Sequence, residues 1–138
     1  AFVTVDEMNL LRAEAWFHKG DLARAADLVN LTRTRTVRLG STDYPGLPAV
    51  TASGVPQSAD CVPRVDGRTC GSLYQALMYE RILENQALDA FIAFMDSRGF
   101  GRFVPGTFLH MPIPARELET LGLPIYSFGG VGGPGAAQ

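Results

Sequence analysis

Glu80 and Glu84 stand one helical turn apart in this 138-residue chain, in line with Leu73, Leu77 and Leu88. Two carboxylates on an apolar stripe invite an acid–base or metal reading, because burial and mutual repulsion raise a carboxylate's pKa. Arg81 lies beside them in sequence, and arginines elsewhere can neutralise them. The reading adopted is therefore an ion-pair network that holds helices together. A di-metal helical site wants a Glu-x-x-His motif on facing helices; here Glu14 and His18 are spaced i, i+4 and have no second copy. His110, between Leu109 and Met111 in a proline-bracketed segment, is expected to be a packed histidine with one nitrogen satisfied. No Gly-x-Ser-x-Gly elbow occurs, and the C-terminal glycines lack the Lys and helix of a phosphate loop. No enzyme, metal site or cofactor is expected.

Cys61 and Cys70 bracket a turn-rich segment containing Pro63 and Gly67. A disulfide between them would close a small loop and point to an oxidising compartment; the alternative is two free cytosolic thiols. Among the aromatics, Trp16, Tyr74 and Tyr79 fall at core-like helical positions. Tyr44 stands in irregular sequence between Asp43 and Pro45 and is the one aromatic expected to face a ligand. Asp96 and Arg98 flank Ser97 at a helix end, where Arg98 suits the helix dipole.

Composition sets outer limits. The chain is 46% hydrophobic and 19% charged with a net charge of -2, an ordinary soluble mixture. Its 12 basic residues, against 14 acids, include a single lysine. A nucleic-acid interface needs clustered cations, so no nucleic-acid partner is expected. Apolar runs fall far short of the ~20 residues that span a bilayer. There is neither a signal peptide nor an initiator Met, so the chain reads as mature, processed or truncated.

These residues need a frame. The spacing predicts a helix over 5–19, capped by Asp6 and carrying Leu10, Leu11, Ala13, Ala15, Trp16 and Phe17. Gly20 ends it, and Asp21 caps a second helix from Leu22 to about Val37, making an antiparallel hairpin. Residues 38–70 show no hydrophobic period and read as a long loop stapled by Cys61 and Cys70. Asn30-Leu31-Thr32 matches a glycosylation sequon but falls inside the second helix, so it is read as chance. From Ser72 a long helix runs to about Arg98, with two apolar stripes that call for neighbours on more than one side. An extended stretch bearing Pro105, Pro112 and Pro114 follows, then a short helix at 115–121 opened by Pro114, then a flexible Gly-rich tail. The expected fold is all-α in one domain, 1–138. It comprises a helix pair at 1–37, a loop at 38–70, a long helix at 71–99, and an irregular Pro/Gly-rich finish at 100–138.

The hairpin resembles a tetratricopeptide (TPR) unit. Ala13, Trp16, Gly20 and Ala25 take the places of its small residue, aromatic, turn glycine and close-contact alanine. At least three such units usually make a stable solenoid; either the partners lay upstream, or the rest of this chain completes the stack.

Taken in order, four segments are similar to the SusD/RagB family: Leu10-Leu-Arg-Ala-Glu-Ala-Trp16 leading to Gly20-Asp21; Tyr79-Glu-Arg-Ile-Leu-Glu84; Asp96-Ser-Arg-Gly99; and His110-Met-Pro-Ile-Pro-Ala-Arg-Glu-Leu118. The resemblance implies a TPR-based helical fold, here the C-terminal part of a longer lipoprotein. It implies an N-terminal lipid anchor not present in this chain, and location at the outer membrane, cell surface or periplasm. It also implies a partner, a SusC-like TonB-dependent transporter, and a captured glycan, peptide or other small nutrient. The matching residues Trp16, Gly20, Glu80, Arg81, Glu84, Asp96, Arg98, His110, Pro112 and Pro114 are expected to hold the scaffold together. The chain departs from the family after Glu84, where it reads Leu88-Asp-Ala-Phe91 in place of a Glu-Gly-x-Arg segment. The 38–70 loop looks particular to this protein, so no binding residue carries over. A helical structural or interaction subunit of a surface or periplasmic assembly is the alternative.

Overall fold

The computed structural model describes residues 3–88, 90–102 and 113–124, except the side chains of 87, 88 and 90. Its contacts divide the chain into two compact units, Ala1–Ala93 and Phe94–Gln138.

In the first unit α1 (Val5–His18) and α2 (Leu22–Arg33) form the hairpin. Thr4, not Asp6, caps α1, its hydroxyl accepting the N–H of Glu7. At the far end the N–H groups of Gly20 and Asp21 return to the carbonyls of Phe17 and Trp16. That crossed pair needs a left-handed residue between, and Gly20 supplies it with φ +85°. Asp21 then caps α2 by accepting the N–H of Arg24. The second helix stops at Arg33, short of Val37. β-branched Thr32, Thr34 and Thr36 weaken it there, and the Thr34 hydroxyl donates to the Asn30 carbonyl.

The all-α expectation is corrected at this point. Among the described residues there are five helices and two small antiparallel sheets, which, apart from Val37, fall in the segment read as loop. The first sheet pairs β1 (Val37–Leu39) with β2 (Thr42–Tyr44) across Gly40 and Ser41. Gly40, at φ +62°, provides the positive φ that a two-residue hairpin turn requires. The second pairs β3 (Arg64–Val65) with β4 (Thr69–Cys70). Val37, Leu39, Thr42 and Tyr44 alternate with Arg38 and Asp43, which is a strand pattern. At three residues a strand it is too short to register as a period.

Helix α3 (Leu73–Leu88) packs against α1 and α2. Leu10, Ala13, Ala25, Val29, Leu73, Ala76 and Leu77 form the core with Val50, Val55, Cys61 and Cys70. The small alanines let the helix axes approach, and the loop contributes its own apolar residues to the same cluster. Helix α4 (Ala90–Gly99) follows on the other side of Asp89, which lies outside the described residues. Leu83, Phe91 and Met95 are exposed, whereas Leu73, Ala76 and Leu77 join the core.

In the second unit α5 (Ala115–Thr120) starts after Pro114 and buries Leu118. Of the extended stretch expected over 103–114, residues 103–112, His110 and Pro112 among them, lie outside the described residues, as does the Gly-rich tail.

Candidate functional site

Arg33 is the last residue of α2 and continues the apolar row Leu22, Ala26 and Val29, so the helix delivers its guanidinium into the core. Its side chain is 0% exposed. Nη1 donates to Glu80 Oε1 at 2.8 Å, Nε to the Pro48 carbonyl at 2.7 Å, and Nη2 to the Val62 carbonyl. One rigid fork thus ties α2, α3 and two separate points of the 38–70 segment. The backbone repeats the attachment, as the Arg33 carbonyl accepts the N–H of Leu47 at 2.8 Å. A turn earlier, the Asn30 amide donates to the Val50 carbonyl and accepts the Val50 N–H. Burial pushes the Glu80 carboxyl above its ordinary range, against the opposing pull of Arg33.

Cys61 and Cys70 are joined by a disulfide and are both buried. Around it the Gly71 carbonyl accepts from Val55, and the Gly71 N–H donates to Pro63. With the Arg33 clamp, this fixes the second half of the segment to the helices.

From that base β1 and β2 project, with every strand residue exposed. The register Val37↔Tyr44 and Leu39↔Thr42 puts these four side chains on one face. Arg38 and Asp43 occupy the other face and pair at 2.8 Å. Tyr44 is 54% exposed. Arg35, at the root of β1, grips Asp6 of α1 with two hydrogen bonds of 2.7 Å. That donation holds the Asp6 carboxyl below its usual range and raises the already high Arg35 value.

The scaffold residues read from sequence fall into separate contacts. Glu80 meets Arg33; Arg81 pairs with Glu14; Glu84 accepts from the Thr4 hydroxyl at 2.8 Å. Hence the two carboxylates on the α3 stripe are not a pair, since each is engaged with a different helix. Trp16 packs against the core under two cations, Arg24 at 4.1 Å and Lys19 at 5.0 Å from its ring. Tyr74 stacks on Phe17 with centroids 4.9 Å apart. Asp96 and Arg98 lie near the end of α4, where the carbonyls of 96–98 accept from 100–102.

Sequence reasoning missed Arg33, Arg35, Asn30 and Gly46. For Arg33 the signal was present: a cation on the buried row of α2 is as anomalous as Glu80 on that of α3, and the two anomalies answer each other. Among the described residues no cluster of His, Cys, Asp or Glu could hold a metal ion, and no helix is long and apolar enough to cross a membrane.

No family model matches the chain, and neither a curated protein nor a solved structure matches it.

Proposed function

We propose that the chain belongs to a non-catalytic nutrient-binding component of an outer-membrane TonB-dependent uptake system, exported to the cell surface or periplasm, with a glycan or peptide as ligand. The observation that carries the reading is the construction of residues 38–70. A disulfide and a buried guanidinium hold a long polar segment in shape and leave Tyr44 exposed on one face of a projecting hairpin. An exposed ring on a hairpin rooted in that clamped segment suits stacking on a sugar or a peptide side chain. The disulfide supports an oxidising compartment, and the SusD/RagB-like order of motifs supplies the transporter partner. In the test, the native protein is purified with its membrane partners and titrated calorimetrically against glycan and peptide panels. A barrel transporter should co-purify, and Tyr44→Ala should remove most of the binding. Absence of both partner and ligand would sink the reading.

A second reading, a structural subunit of another surface assembly, is favoured by one observation. Val5, Met8 and Leu11 on α1 are exposed, and helix faces of that kind commonly mark contact with a partner. Cross-linking in cells separates the two, since a contact through α1 with a protein other than a barrel transporter supports the second.

A further inference from the structure

The β1–β2 hairpin is attached through two roots of different character. Where β2 returns to the helices, Leu47 bonds to the Arg33 carbonyl, and the Arg33 guanidinium is buried against Glu80 and the carbonyls of Pro48 and Val62. Gly46 there lies so close to Thr34 that an added Cβ would fall 2.3 Å from its carbonyl carbon. This root is backbone-bonded and backed by the buried Arg33 side chain. Where α2 leads into β1, the side-chain tie to the rest of the fold is Arg35 on Asp6, with side chains 50% and 20% exposed. A weaker 3.3 Å bond joins Arg35 to the Leu31 carbonyl within the same turn. Glu84 on α3 adds a more distant attraction for Arg35. Water and salt screen this exposed pair far more than the buried Arg33–Glu80 pair of the other root.

We propose that Asp6 and Arg35 are positioning residues that form a releasable lock on the hairpin, with the Arg33 root as its pivot. While the lock is closed, the face bearing Val37, Leu39 and Tyr44 is presented in one direction. When it opens, residues 37–44 swing and the segment beyond Leu47 stays in place. The consequence for ligand capture rests on Tyr44 being the ligand-facing residue; the mechanical claim does not.

The test is backbone ¹⁵N heteronuclear NOE measurement on the full chain, comparing the amides of 37–44 with those of 47, 49 and 50. Asp6→Asn at low salt, and the unaltered protein in molar salt, should both lower the values over 37–44 only. The charge-reversed pair Asp6→Arg with Arg35→Asp should restore them at low salt. Unchanged values over 37–44 in the unaltered protein in high salt would overturn the lock, as would equal loss in both stretches. The salt series decides the matter even if Asp6→Asn fails to fold. Calorimetry against a glycan that binds the unaltered protein should show a several-fold loss of affinity in Asp6→Asn, and undiminished affinity would refute the positioning role. If no glycan or peptide binds the unaltered protein, the reading of Tyr44 fails and the NOE comparison still decides the lock.

Discussion

Arg33 and Glu80 raise the question of whether a buried pair is held by attraction or merely tolerated. Removing a carboxylate from water costs several kcal/mol, and a guanidinium already engaged by two carbonyls offsets only part of that. The raised Glu80 pKa follows from burial outweighing the pairing. A carboxyl with a folded pKa above its unfolded value favours folding fully at pH below about its ordinary 4.5. That contribution is lost as pH rises through the folded value. Urea unfolding of the unaltered protein and Glu80→Gln from pH 4 to 8 should therefore give matching stabilities in acid. Toward the upper end of the series Glu80→Gln should become the more stable. A glutamine variant that is less stable at neutral pH would show that attraction dominates. Arg33→Met is different, because it strands Glu80 and two carbonyls. It should cost about 3–5 kcal/mol, read by the same urea titration.

Elements in this chain are held by their ends. Gly46 and the Cys61–Cys70 bond are two of the places where the 38–70 segment is tightly held. Gly46→Ala places a methyl against the Thr34 carbonyl and should destabilise by roughly 1–3 kcal/mol, with faster hydrogen exchange at the Leu47 amide. Replacing both cysteines by serine opens a loop of sequence separation 9 and should cost about 2–3 kcal/mol, seen as a lower thermal midpoint. The helices of the hairpin were legible because cap, apolar row and turn glycine agree at Asp21, Leu22–Val29 and Gly20. Both sheets were not. Strands of two or three residues leave no period, and Val37, Leu39 and Tyr44 face solvent, so burial does not mark them. The end of α2 was misplaced because Val37 extends the apolar pattern, while the Asn30, Arg33 and Leu47 contacts that end the helix depend on residues distant in sequence.

For the whole molecule, the pairing of Cys61 with Cys70 bears on where the chain works. A thiol assay on protein isolated without reductant should detect no free cysteine, even after denaturation, and two titratable thiols would undercut export. The candidate site divides in the same way between what sequence shows and what it hides. Tyr44 stood out because an aromatic amid Asp and Pro has no core to join. The clamp beneath it did not, since it joins α2 to carbonyls at 48 and 62 that no side-chain pattern reveals.

The amide of Asn30 is engaged on both sides by the backbone of Val50, and Asn30 is also the acceptor of an Asn-Leu-Thr sequon. A eukaryotic secretory host attaches sugar to such an asparagine as the chain emerges, before α2 has formed. The sugar would replace one hydrogen of the Nδ2 that donates to the Val50 carbonyl and place its bulk at that contact. Secreted expression in yeast or mammalian cells should therefore yield a glycoform whose 46–50 segment cannot dock, and Thr32→Val should restore docking by deleting the sequon.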